Sequence, residues 1–420
     1  MIQNARLEMY DVAVAGAGPA GLLAAAAAAR RGFSVCVVER EEQFPRKLLI
    51  TGKGRCNLTN ACDSETFFDN VRCGAKFLRS AYSAFSADDI MRHIEALGVP
   101  LKIERGRRVF PQSERAADIA DALVRDARAA GCSFVTARAS GVRTESGAVA
   151  AFSLVGGGEI RCRSAIIATG GLSYPQTGST GDGLRIANAL GHSIIDPRPS
   201  LVPLVCGGED CANLQGLSLK NIALTLEAGG RTLFREQGEL IFTHFGISGP
   251  LVLSASARLV GQAVVGARAT IDLKPALDEK TLDRRLLRDF AEQLNREFKN
   301  ALGELLPSKL IPIVVMQSGI DPTKKINSIT AKERAALIGV LKGFELNITD
   351  TRPIEEAVIT AGGVSTKEID PKTMMSKKIK NLHFAGEVLD ADGYTGGFNL
   401  GIAFATGHAA GSHILEEESR

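Results

Sequence analysis

Hydrophobic residues along the first forty positions come in two short runs separated by a glycine turn and an alanine-rich stretch. Tyr10–Ala15 is apolar and β-branched, which suits a buried parallel strand. Gly16, Gly18 and Gly21 follow, then Leu22 to Arg31, then Val35-Cys36-Val37-Val38-Glu39. The pattern predicts strand, tight turn, helix, strand. Gly16 permits the turn, Gly18 lets a pyrophosphate approach the backbone, and Gly21 lets helix and strand pack closely. The helix N-terminus offers N–H groups to phosphates. Glu39, at the end of the second strand, can accept hydrogen bonds from a ribose. The fingerprint leaves FAD and NAD both open; a carboxylate at Glu39 argues against NADP.

Further along, helical spacing marks Ala75–Ala84, Ala87–Leu97 and Ser113–Ala130, the last stopped by Gly131. Leu101–Phe110 reads as a basic hairpin, whose Arg105, Arg107 and Arg108 are either solvated or face an anionic ligand. Ser133–Ala137, Gly141–Thr144, Val149–Leu154 and Ile160–Cys162 read as a meander with Gly-rich turns. Arg163–Ile167 then returns to the parallel sheet and ends in Thr169-Gly170-Gly171. At about Gly191 the pattern changes to short strands and turns, followed by helical spacing over Asp278–Glu297, Leu305–Gln317 and Ala331–Leu341. We read Gly191–Pro353 as an insertion. The divisions are an opening Rossmann segment over residues 1–190, an inserted β segment over 191–275, an inserted helical segment over 276–343, a return strand over 344–356, and a closing Rossmann segment over 357–420. The fold class is α/β: a Rossmann-type domain carrying a β-barrel-like plus helical insertion.

Val12–Ala29 is apolar for long enough to imitate a membrane span, but the glycine turn breaks it at the phosphate-binding register. Arg6, Glu8 and Asp11 are unlike a basic leader. Eight scattered cysteines form no CxxC, none has zinc spacing with histidine, and we read no CxxxxC pair among them, which argues against disulfide reductase chemistry. We expect reduced thiols, a cytoplasmic protein, no metal and no membrane. Fifty basic and 47 acidic side chains give a net charge of +3, and Trp is absent. This balance argues against nucleic acid as a partner, although a local patch around Arg105–Arg108 would not show in a total.

Three stretches carry candidate chemistry. Lys47–Asn60 packs glycines, cations, hydroxyls and amides into one loop, which reads either as an anion-binding nest or as a solvated surface loop. Leu382–Glu387 is a strand ending in Gly-Glu, followed by Gly393-Tyr394-Thr395-Gly396-Gly397-Phe398-Asn399 and a small-residue helix. Glu387 can bind ribityl hydroxyls, and that helix can aim its N-terminus at the flavin edge where negative charge gathers on reduction. A protein with only a nicotinamide site has no need of this closing element. Thr243–Pro250 holds His244, the candidate proton donor or else a turn histidine. Cys56 is either a redox thiol or a buried structural cysteine.

With those residues placed, the chain resembles the BaiN/RdsA-type NAD(P)/FAD-dependent oxidoreductases, also described as aminoacetone-oxidase-like FAD-binding flavoproteins. The carrying motifs are Gly16–Gly21, Lys47–Asn60, Ala168–Gly183, Phe242–Pro250, Ala361–Val364 and Ala385–Asn399. Gly401 departs from the pattern, which expects Gln there. The resemblance implies non-covalent FAD in a glutathione-reductase-like domain. It implies that Gly16, Gly18, Gly21 and Glu39 hold the ADP half, and that Lys47, Arg55, Cys56, Asn57, Gly386, Glu387, Gly397 and Asn399 surround the flavin half. Pro19, Ala20, Arg40, Thr51, Gly54, Thr169, Gly170, Gly171, Gly396 and Phe398, within or beside these stretches, are further candidate cofactor contacts. The expected activity is an FAD-dependent oxidation or reduction of a small molecule, in which either NADH or NADPH is the electron donor, bound in the insertion cleft, or another donor or oxygen completes the cycle. No second strand–GxGxxG–helix unit is visible for the nicotinamide. Two alternatives stay open: an FAD-dependent RNA-modifying enzyme and a non-enzymatic flavin redox sensor. Oligomeric state is not legible.

Overall fold

A computed structural model describes residues 9–415. Arg6 and Glu8 lie outside the described residues. In chain order the elements used below are β1 (Tyr10–Ala15), α1 (Pro19–Arg30), β2 (Val35–Glu39), β3 (Thr59–Asn60), β4 (Leu101–Glu104), β5 (Arg108–Pro111), α2 (Ala116–Ala129), β6 (Ser133–Thr136), β7 (Ala139–Glu145), β8 (Ala148–Leu154), β9 (Glu159–Ile167) and β10 (Ile194–Ser200). There follow β11 (Leu204–Cys206), β12 (Ser218–Ala228), β13 (Arg231–Thr243), β14 (Gly246–Ser248), β15 (Ala267–Asp272), α3 (Glu279–Ala291), α4 (Ile311–Ser318), α5 (Ala331–Lys342) and β16 (Phe344–Thr351). The chain closes with β17 (Ile359–Val364), β18 (Leu382–Phe384) and α6 (Phe398–Ser412). The described residues divide into two compact units, 9–200 with 354–415, and 201–353.

The larger unit is built on a seven-stranded sheet in the order β6-β2-β1-β9-β8-β7, with β18 also on β9. Pairs among β6, β2, β1, β9 and β18 are parallel, while β7, β8 and β9 run antiparallel. β9 is a single strand where the local pattern divides it in two. Its first half pairs with β8, and its second half enters the parallel core between β1 and β18. Ser133–Thr136 leaves the meander and takes the parallel edge on β2. β10 pairs with β17 and counts with this unit, although its turn-rich character resembles the insertion.

Helix α1 begins with Pro19 at its first turn, where a missing N–H costs nothing. Its alanines let α6 approach closely. A Cβ on Gly407 would lie 2.3 Å from Ala20 O, and one on Gly411 would lie 2.2 Å from Ala24 O. These glycines are required by backbone contact.

In the smaller unit, six strands close a barrel in the order β11-β14-β13-β12-β15-β16. Alternate residues of β12 and β16 point inward, among them Leu224, Leu226, Phe344 and Ile348, all buried. Phe242 and Phe344 meet edge to face, with centroids 6.5 Å apart. Helix α3 is capped by Asp278, which accepts from Thr281 N at 2.7 Å. Among the described residues no helix is long and apolar enough to cross a membrane.

Candidate functional site

The larger unit contains a deep cavity with about 1330 Å³ of empty space, its open mouth included. Sequence-distant segments line it, among them the β1–α1 turn, the Glu39–Thr51 stretch, residues 137–139, residues 168–182 and Gly386 to Ala403. The ends of β1 and β2 and the N-termini of α1 and α6 therefore share one cavity. Ligands of open α/β sheets sit at such carboxyl ends, and helix N-termini carry partial positive charge.

Gly16 adopts φ +102°, and a Cβ there would lie 2.5 Å from Ala168 O. A Cβ on Gly21 would lie 1.9 Å from Gly16 O, so Gly21 serves the helix–strand contact and does not line the cavity. Gly18 has no neighbour within 4 Å of a Cβ. Nothing in the protein demands glycine at 18, whereas a group lying against that backbone would. Glu39 accepts from Ala17 N at 2.7 Å and from Glu41 N at 3.0 Å. Each oxygen thereby keeps one lone pair for a further donor. A cradle that a Cβ would fill, beside a carboxylate with acceptor capacity to spare, fits an extended dinucleotide.

The Lys47 side chain does not wait as an open anion site. Its Nζ donates to Glu387 Oε2 at 2.6 Å and to Ser173 Oγ at 2.7 Å. Glu387 Oε1 accepts from Ser173 Oγ and from Thr360 N, each at 2.9 Å. Thr360 Oγ1 in turn accepts from Leu172 N at 2.8 Å. Lys47 and Glu387 line the cavity and are mostly buried. Gly171 makes room for this network, since a Cβ there would lie 2.4 Å from Thr360 Oγ1.

A second charged group lines the cavity near Glu39. Arg138 grips Asp182 with two bonds, of 2.8 and 2.6 Å. Arg40 donates to Thr180 Oγ1 at 2.8 Å and lies 3.8 Å from Asp182, and Arg185 also reaches Asp182. Three guanidinium groups therefore surround the Asp182 carboxylate, and Arg40 also lies 3.4 Å from Glu41.

Of the candidate cofactor residues, Gly16, Gly18, Pro19, Ala20, Glu39, Arg40, Lys47, Thr51, Thr169, Gly170, Gly386, Glu387 and Asn399 line the cavity. Gly54, Arg55, Cys56, Asn57, Gly396, Gly397 and Phe398 do not. Arg55 pairs with Glu104 and Glu114 and stacks on Phe110, 4.1 Å from its centroid. Cys56 is fully buried, and burial pushes its thiol up to about 12. Asn57, oriented to match its neighbours, accepts from Gly397 N at 3.0 Å and donates to Thr59 O at 3.3 Å. Asn60 Nδ2 donates to Gly396 O at 3.0 Å. These residues join the 51–60 loop to the turn before α6. Phe398 is buried against Phe67.

His244 lies in the smaller unit, exposed in the β13–β14 turn, with its ring edge-on to Phe245. Cys206 and Cys211 are buried in the same unit with their thiols hydrogen-bonded to one another. Four residues separate them, so the scattered-cysteine reading missed a CxxxxC pair. Thr360 and Arg138 are the site residues that local motifs did not single out; Ser173 and Asp182 fall within the Ala168–Gly183 motif, whose Thr177, Gly178, Ser179 and Asp182 line the cavity. Ser173 and Thr360 flank the Gly-Gly pairs at 170–171 and 362–363, the nearest thing to a signal.

Known proteins place this architecture. The HI0933-like protein Rossmann domain matches residues 10–413. A ribosomal RNA dihydrouridine synthase of Escherichia coli (strain K12) is 29% identical over 418 residues, covering 98% of this chain and 100% of that protein. A 3-dehydro-bile acid delta(4,6)-reductase of Clostridium scindens is 29% identical over 416 residues, covering 97% of this chain and 100% of that protein. Among solved structures, a 3-ketosteroid-delta4-(5alpha)-dehydrogenase from Rhodococcus jostii RHA1 shares the fold, with a TM-score of 0.50 at 17% identity over 99% of both chains. With a Rossmann-type unit, a closed barrel and a match running almost end to end, the chain belongs to the HI0933-like Rossmann-domain family, of BaiN/RdsA type.

Proposed function

We propose that this protein is an FAD-dependent oxidoreductase that reduces a carbon–carbon double bond conjugated with a carbonyl, drawing electrons from NADH or NADPH. The observation that carries the cofactor is the single cavity joining Gly18, Glu39 and the N-terminus of α6. The β1–α1 turn suits a pyrophosphate, Glu39 a ribose, and the α6 N-terminus a ring that gains negative charge. When bound, FAD supplies two electrons as a hydride equivalent. The protein's own residues hold and orient it: Gly18 by leaving space, Glu39 by its spare acceptors, and the Lys47–Glu387–Ser173 network by fixing one wall.

The reaction class rests on two whole-length relatives whose names share one chemistry. Dihydrouridine is uridine with one ring double bond saturated, next to a carbonyl. A delta(4,6)-reductase of a 3-dehydro bile acid saturates double bonds conjugated with the 3-keto group. Both add two hydrogens across a polarised double bond. We place His244 as the proton donor on side-chain chemistry. A second reading, a uracil ring in RNA as substrate, is favoured by the first of these relatives.

The test is anaerobic. Purified yellow protein is mixed with NADH or NADPH and the flavin band is followed. 2-Cyclohexenone or ribosomal RNA is then added to the bleached protein. Bleaching by a nicotinamide and return of colour with either acceptor supports the proposal. Bleached protein that neither acceptor reoxidises excludes this reaction class, and protein that no nicotinamide bleaches excludes that donor.

A further inference from the structure

We propose that the tip of the β4–β5 hairpin, Arg105, Arg107 and Arg108, is an anion subsite that seats the phosphodiester backbone of an RNA substrate. This rests on the RNA reading above and adds the residues that would recognise the strand.

Charge around the hairpin is sorted. Glu104 and Glu114, the carboxylates beside it, are both engaged by Arg55 and Lys102. Asp63, whose carboxyl feels Arg107, caps a short helix by accepting from Thr66 N at 2.8 Å. Among the described residues, Arg105, Arg107 and Arg108 form no ion pair. Arg108 Nε donates to Arg105 O at 3.0 Å, a bond that does not use its two terminal nitrogens. Three cations crowd into four residues with no ion-pair partner, and the carboxylate that feels Arg107, Asp63, is engaged in its helix cap. Such a cluster attracts phosphate, which guanidinium binds through paired hydrogen bonds. The net charge of +3 for the whole chain conceals this concentration.

The tip is also pinned. Gly106 and Arg107 both adopt left-handed backbone, at φ +76° and +58°. Ala61 N donates to Arg107 O at 2.8 Å, and Asn60 Nδ2 donates to Gly106 O and to Gly396 O, each at 3.0 Å. Gly396 precedes α6, whose Asn399 and Leu400 line the cavity. One buried asparagine therefore ties the arginine tip to the turn that opens the cavity helix. A solvated hairpin needs no such anchor. A subsite that must keep register with a reacting ring does.

The experiment measures fluorescence anisotropy of a labelled uridine-rich RNA strand against the flavin-loaded protein between about 50 and 200 mM salt. The Arg105→Gln/Arg107→Asn/Arg108→Gln triple variant should bind at least about tenfold more weakly at low salt. Its log–log salt slope should be shallower by about 2, for three lost phosphate contacts on a single strand. Arg105→Glu alone should also weaken binding, which covers a triple variant that misfolds. Lys280→Gln/Lys332→Gln, which removes exposed lysines of the smaller unit, should bind like the parent. Equal binding by parent, Arg105→Glu and a folded triple variant overturns the proposal, as does a parent that binds no RNA at low salt. The parent separates the two readings. A parent that binds RNA no better than the variants lacking the arginines sinks the subsite alone, whereas a parent that binds no RNA at low salt sinks the RNA reading with it.

Discussion

Lys47 Nζ donates to Glu387 Oε2 across 2.6 Å, although 340 residues separate them in sequence. The lysine follows a proline-containing loop, and the glutamate lies in the short helical turn Gly386–Val388 just beyond β18. Their ion pair, closed by Ser173 and Thr360, fixes one wall of the cavity. Breaking a buried pair by removing one partner is costly, because the other charge remains. The two side chains are 21% and 15% exposed, which moderates the effect. We expect Lys47→Met or Glu387→Gln each to lower stability by about 1–3 kcal/mol in urea unfolding and to reduce retained FAD. The double variant should lose less than the sum. Strict additivity would show that the pair does not act as a unit.

Two glycines near the cavity should respond in opposite ways. Gly18→Ala meets no protein atom, so it should fold with a stability change within about 1 kcal/mol. It should emerge from purification largely without flavin. Gly397→Ala would place a Cβ 2.4 Å from Thr59 backbone at φ +101°, so it should lower the melting temperature outright. A yellow Gly18→Ala protein would remove the argument that this position faces a ligand.

His383 is completely buried on β18, its Nδ1 2.9 Å from Thr373 O. Burial pulls its pKa down to about 4, against an ordinary 6.5. The unfolded chain therefore takes up a proton near pH 6.5 that the folded chain refuses until about pH 4. The stability contribution is complete above 6.5 and is lost as the pH falls toward 4, by at most about 3 kcal/mol. His192 and His408, also depressed by burial, act in the same direction. Denaturant midpoints measured from about pH 7.5 to about pH 4.5 should fall, and His383→Asn should flatten the profile. A parallel profile in the variant would show that this imidazole is not responsible.

Six of the eight thiols are buried, and Cys62 and Cys73 are half-buried. Burial raises Cys36, Cys56, Cys132 and Cys162 to about 11 or 12, where almost no thiolate exists at neutral pH. Ellman's reagent should titrate at most two thiols in the native protein and all eight after unfolding. Rapid reaction of more than two would mean that the cores open readily.

The local grammar of the sequence carried the β1–α1–β2 unit and the Leu101–Phe110 hairpin, because each is written in neighbouring residues, whereas the strand read over Leu382–Glu387 stops at Phe384 and leaves Gly386 and Glu387 in a short helical turn beyond it. Apolar run, glycine turn and acidic strand end lie within one unit of secondary structure. What stayed hidden depends on partners far along the chain. Nothing near Lys47 announces that Glu387 will engage it, and nothing near Gly171 announces Thr360. β9 reads as two strands because its neighbours change halfway along. Cys206 and Cys211 meet because a strand end and a short helix fold back around two glycines, which scanning for zinc spacings does not reveal.

The backbone-to-backbone seam between α1 and α6 constrains how this protein is born. Ala20 and Ala24 leave the ribosome hundreds of residues ahead of Gly407 and Gly411, yet only those two glycines allow the late helix to lie against them. During translation the early alanine-rich helix must wait with that flank uncovered while the intervening barrel is synthesised. The larger unit is thus completed only after the smaller one has emerged, and a nascent chain released before Gly407 would leave that flank of α1 uncovered.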